Sequence, residues 1–110
     1  MNLEDLTLGQ LKQIQAMGGS STTGYERYLG QPVLIRTVTM IYTGRVKEIH
    51  NQCLLVEDAA WIADTERWAD SVREAKFKEV EPYPDGEIVA IGLGGILDVC
   101  KIPSLPREQK

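Results

Sequence analysis

A mainly β chain with a minority of helix, α+β in class, is what this sequence predicts, and three stretches predict it. The run from Pro32 to Ile49, PVLIRTVTMIYTGRVKEI, is dense in Val, Ile, Thr and Tyr and partly alternates apolar with polar residues. Near the other end, two apolar runs flank a glycine cluster in EIVAIGLGGILDVCKI. Helical spacing is confined to a segment near the N-terminus and another in the sixties and seventies.

Leu3, Leu6, Leu11, Ile14 and Met17 recur at intervals near three and four, and Thr7 and Gln10 match a capping box. A helix from about Leu8 to Met17 follows, ended by Gly18 and Gly19, so that residues 1–19 form the N-terminal helical segment. Residues 20–31 read as a loop rich in Gly, Ser and Thr that carries Tyr25, Arg27 and Tyr28. It is either an ordinary linker or a contact surface, since tyrosine and arginine on a loop are what contact surfaces use.

The β-rich run is too long for one flat strand. It is either two strands joined near Thr37 or one long strand bent at Gly44, where an isolated glycine marks a bulge or bend. His50-Asn51-Gln52 is the next turn, and Cys53 to Asp58 returns as the second arm of a hairpin. The segment Asp64 to Ala75 predicts a short amphipathic helix capped by Asp64 or Thr65, with Trp68, Val72 and Ala75 on one face. KFKEVEPYPDG reads as a connection and IPSLPREQK as an extended tail.

The glycine cluster could be a phosphate cradle or a turn. A cradle needs a strand before it, a helix after it and, in a P-loop, a lysine beside it. Here Ile96 to Cys100 has the composition of a strand, and no lysine adjoins the glycines. Leu93-Gly94-Gly95 is therefore expected to supply the positive φ angles of a tight hairpin between two strands.

A chain of 110 residues fits one domain. No apolar run approaches the roughly 20 residues that cross a bilayer, so no membrane partner is expected. The acidic N-terminus does not read as a secretion signal, which gives a cytoplasmic expectation, and Cys53 and Cys100 are expected to be reduced and buried. Net charge is −4, from 12 basic and 16 acidic residues, which opposes non-specific attraction to nucleic acid. The cations Arg27, Arg36, Arg45, Lys47 and Lys101 are scattered and form no basic run.

No enzyme is expected. His50 and Cys53, three residues apart on a strand, point to opposite faces, and adjacent Glu57 and Asp58 diverge for the same reason. His50, Cys53 and Cys100 lack zinc-like spacing, so neither a metal nor any other cofactor is expected. Trp61 and Trp68 are either core residues or, in the sharper reading, one of them joins Tyr25 or Tyr28 in a pocket between subunits. There Arg27 or Arg45 would hold a nucleotide-sized anion.

The order helix, strand pair bent around Gly44, acidic end LLVEDA, and last strand pair turning at glycines resembles the Sm-like fold of Sm proteins and bacterial Hfq. Gly44-Arg45-Val46 with Leu54, Val56 and Asp58 is similar to the first motif of that family, and Ile91, Gly94, Gly95, Ile96 and Val99 to the second. The resemblance implies an N-terminal helix followed by a small, strongly bent, five-stranded antiparallel barrel. It would occupy residues 32–102, with a helical insertion near 64–75 and a tail over 103–110, all in one domain of 1–110. It also implies a homo-oligomer, because such a barrel leaves strand edges to be paired between subunits. RNA-binding members carry Asp and Asn where this chain has His50-Asn51-Gln52, and Arg-Gly where it has Gly92-Leu93. The guanidinium that helps hold a base in the family is thus absent.

LLVEDAAWIADTERW and the terminal LPREQK resemble short proteins of tailed phages and prophages, which implies a phage context. The functional expectation is a non-catalytic, phage-type oligomeric module in the bacterial cytoplasm that binds a host protein, a small nucleotide or RNA. The alternative is a structural or head-to-tail assembly component of the virion. The candidate binding residues are Tyr25, Arg27, Tyr28, Arg45, His50, Asn51 and Trp61.

Overall fold

The computed structural model describes residues 23–110. The expected N-terminal helix lies outside the described residues. Six strands follow in order: β1 (Pro32–Thr37), β2 (Ile41–Ile49), β3 (Cys53–Thr65), β4 (Phe77–Pro82), β5 (Ile88–Gly92) and β6 (Ile96–Lys101). One helix, α1 (Trp68–Glu74), lies between β3 and β4, and short 3-10 turns span Glu26–Tyr28 and Leu93–Gly95.

Every strand pairing is antiparallel, in the order β4-β3-β2-β1-β6, with β5 also on β3. The long β3 makes this possible. One of its edges pairs with β2, while the other is divided end to end: Cys53 to Glu57 meet β5, and Ala60 to Thr65 meet β4. At the division Asp58 takes the left-handed conformation, with φ 52°, and the strand swings from barrel to arm. Opposite it β2 bends at Gly44, where an added Cβ would sit 3.0 Å from Val56 Cβ. Both sequence alternatives for the β-rich run hold together: two strands join after Thr37, and the second bends at Gly44.

The sheet is buried on both faces. Val33, Ile35, Val46, Leu54, Val56, Ala59 and Ile91 fill the barrel, while Leu34, Ala60, Ile62, Phe77, Val80 and Ile102 form a second core. That is why Val33-Leu34-Ile35 is an unbroken apolar triplet: the outer two face the barrel and Leu34 faces the arm. Thr43, opposite Leu34 and Ala60, is fully buried and its hydroxyl has no hydrogen-bond partner.

Several expectations are corrected. Leu93–Gly95 is a turn between two strands, but not of a tight hairpin: β5 pairs with β3 and β6 with β1, and none of Gly92, Gly94 or Gly95 has positive φ. The bend of the sheet carries the two strands to different neighbours. Phe77–Pro82, read as part of a connection, is the strand β4, which adds the arm to the five expected barrel strands β1, β2, β3, β5 and β6. The helix begins at Trp68 rather than near residue 64, because Asp64 and Thr65 still belong to β3 and cap nothing. Ser71 stabilises the helix instead, accepting from Glu66 N–H at 3.2 Å and donating to Lys76 O at 2.8 Å. Cys53 and Cys100 are free but only half-buried, and burial pushes the Cys100 thiol up.

The tail after β6 is strapped to the arm. Lys110 and Val80 exchange backbone hydrogen bonds at 3.0 and 3.2 Å. Arg107 donates to Ala59 O at 2.9 Å, to Tyr83 O at 3.1 Å and to the Asp85 carboxylate at 2.9 Å.

Candidate functional site

The open side of the barrel is built by the two turns that the motifs single out. His50-Asn51-Gln52 closes the β2–β3 hairpin through His50 N–H to Cys53 O at 2.9 Å, and Leu93 N–H donates to Gln52 O at 2.9 Å. The Leu93–Gly95 turn is thereby held beside the His50–Gln52 turn. His50 Nε2 lies 2.9 Å from Glu48 Oε1, with both side chains exposed, and Asn51 is exposed at the tip.

The Leu93 bond also fixes the phase of the ladder. In an antiparallel pair, inward and outward backbone groups alternate, so Val89 and Ile91 face β3 while Ile88, Ala90 and Gly92 turn their polar groups to the free edge. On the other side Ile102 N–H donates to Pro32 O at 3.1 Å, which leaves Val99 and Lys101 facing outward from β6. No described strand pairs either edge, and beside β5 opens a cleft of about 250 Å³ reaching Thr37, Tyr42, Ala90 and Gly95.

The seven sequence candidates do not form one site. Tyr25 and Tyr28 pack onto the barrel core, and Tyr28 donates its hydroxyl proton to the outward Val99 carbonyl at 3.3 Å. Arg27 is exposed on the same 3-10 turn. Arg45 is held by Asp58 at 3.0 Å and approaches Glu57 at 4.0 Å, while Lys47 lies 3.8 Å from Glu57. These acids neutralise the cations that an anionic ligand would need. Trp61 stands apart, opposite Tyr42 on β2 and Glu81 on β4, in a groove of the arm with Met40, Tyr83 and Pro84. Trp68 lies outside that groove, on α1, with the Arg36 guanidinium 5.1 Å above its ring and Arg36 paired to Asp98.

Sequence reasoning missed Met40, Glu81 and Tyr83 as neighbours of Trp61. Strand alternation gave a signal for Trp61 itself, flanked by Ala60 and Ile62 that point to the arm core. The neighbours depend on β4, which was read as a connection.

Among the described residues, no three histidine, cysteine, aspartate or glutamate side chains gather as a metal site, and no helix is long and apolar enough to cross a membrane.

The backbone matches solved structures. A heptameric archaeal Sm protein superposes with a TM-score of 0.53 at 17% identity, over 74% of this chain and 100% of that one. The P. aerophilum SmAP1 heptamer gives a TM-score of 0.53 at 18% identity, over 76% of this chain and 97% of that one. The chain has an Sm-like fold. No family model matches it and no curated protein sequence matches it.

Proposed function

We propose that this chain is a non-catalytic binding module that closes into a ring by pairing the β5 edge of one copy with the β6 edge of the next. The observation that carries this reading is the pair of open edges around the Leu93–Gly95 turn. Ile88, Ala90 and Gly92 face outward on one, and Lys101 and the Val99 N–H on the other, where the Val99 carbonyl already accepts from Tyr28. Exposed Ile88 and Leu97 add apolar surface on those strands, and an unpaired edge of this kind favours pairing with another chain. The two solved Sm proteins that superpose on this chain are heptamers.

The module binds rather than reacts, since no nucleophile, base and orienting group converge among the described residues. Of the ligands open to it, a protein suits the surface better than RNA. The cations of β2, Arg45 and Lys47, are occupied by Glu57 and Asp58, and the chain as a whole carries −4. The phage setting rests on the sequence resemblance of the LLVEDAAWIADTERW segment and implies a host protein as the partner.

Native mass spectrometry of the purified chain tests the ring, with Ala90→Pro as the comparison. That change removes an outward N–H from β5 and leaves its bonds to β3 intact. A discrete multi-subunit ion for the parent and a folded monomer for the variant are expected. A parent that stays monomeric at micromolar concentration would refute the ring.

A further inference from the structure

The geometry points to a second binding site on the arm: a groove around Trp61 that takes an extended, proline-containing peptide segment bearing a lysine or arginine. The site is independent of the ring reading, because every residue of it lies in one copy.

The groove has a volume of about 320 Å³ and is lined by Met40, Trp61, Glu81, Pro82, Tyr83 and Pro84. Its walls are aromatic, thioether and proline, with one carboxylate among them. Trp61 is 39% exposed although it sits in the middle of the sheet, directly across from Glu81. It is an aromatic face left open beside a negative charge.

Charge selects the occupant. The cations bordering the groove are already engaged: Arg107 with Asp85 and two carbonyls, Arg36 with Asp98 and the face of Trp68. Among the described residues Glu81 is held only by the neutral Gln109 amide, at 2.9 Å. An anionic ligand would meet an uncompensated carboxylate. A lysine or arginine would instead lay its methylenes on Met40 and Pro82 and bring its charge to Glu81 and the Trp61 face.

Shape selects an extended segment. Past Met40 and Trp61 the groove continues into a cleft of about 420 Å³ that reaches the exposed Val38, so the surface is longer than one side chain. The segment does not enter as an added strand on β4. Val80 already exchanges both backbone bonds with Lys110, and Pro82 has no N–H to offer. A polyproline-type segment, which uses side-chain contact with aromatic walls and needs no ladder, fits what remains.

The test uses the full chain labelled with nitrogen-15 and the synthetic peptide acetyl-Pro-Pro-Lys-Pro-Pro-Arg-Pro-amide. The control peptide carries Glu in place of Lys and Arg. The expected result is a saturable shift of the Trp61 indole N–H that leaves the Trp68 indole in place. Glu81→Gln, a surface change that leaves the fold intact, should weaken the affinity about tenfold, as loss of a charge-assisted contact does. A Trp61 indole unmoved at millimolar peptide, an equal response to the acidic control, or unchanged affinity in Glu81→Gln would overturn the proposal. So would a response to a uridine hexanucleotide in place of the peptide.

Discussion

The barrel and the arm are built on the same strands but held by different kinds of contact. The barrel core joins β1, β2 and the first half of β3, linked by turns of three residues each, Val38–Met40 and His50–Gln52, to β5 and β6, which pair with β3 and β1 along their length. The arm core joins the second half of β3 to α1, β4 and a tail that returns from the far end of the sequence. Its clamps, Arg107 to Ala59 O and Lys110 Nζ to Phe77 O, span 48 and 33 residues. The far strands of the barrel are laid on by continuous backbone ladders, whereas the arm is closed by side-chain clamps and one Val80–Lys110 backbone exchange, so the arm is the part that opens first.

The largest effects come from emptying each core in turn. Phe77→Ala should cost about 3–5 kcal/mol in the arm and Leu54→Ala about 2–5 kcal/mol in the barrel. They should differ in where protection is lost. Amide exchange in the Phe77 variant should rise over α1, β4 and the tail while the β1–β2 hairpin stays protected, and in the Leu54 variant it should rise everywhere. Equal exchange patterns would show that the two cores unfold as one and erase the distinction.

A smaller effect is expected at the bend. Gly44→Ala places a Cβ 3.0 Å from Val56 Cβ and 3.4 Å from Glu57 O, where strand backbone must give way. A loss of about 1–3 kcal/mol in urea unfolding is expected, felt by the barrel more than the arm. Unchanged stability would mean that the close approach of β2 and β3 is not needed for closure.

The smallest change should be a gain. The Thr43 hydroxyl is fully buried between Leu34 and Ala60 with no partner. Thr43→Val keeps the branched shape and removes the unmet hydroxyl, so the unfolding midpoint should rise, by about 1 kcal/mol in free energy. A loss of stability would mean the hydroxyl is satisfied in solution by a bound water.

Where a pattern is local, the sequence carried it. The triplet Val33-Leu34-Ile35, the isolated Gly44, the polar His50–Gln52 turn and the strand-like residues after the glycines all gave the mainly β fold and its bends. Each rests on steric preference or on burial of adjacent residues, which a short window contains. β4 escaped notice because Phe77 and Val80 are its only fully buried residues and stand three apart, which breaks the two-residue alternation that marks a strand.

The candidate site was beyond the sequence for a related reason. Tyr25, Tyr28 and Trp61 were legible as aromatic residues able to line a pocket, but their neighbours were not. Tyr28 reaches Val99, 71 residues away, while Trp61 stands across from Glu81. Tertiary structure alone settled that Arg45 is spent on Asp58, that Glu81 is left beside an open indole, and that β5 and β6 part company after a turn of three residues. Composition and alternation determine which faces are buried. Which charges meet is decided only when β3 bends at Asp58 and carries one half of itself to β5 and the other to β4.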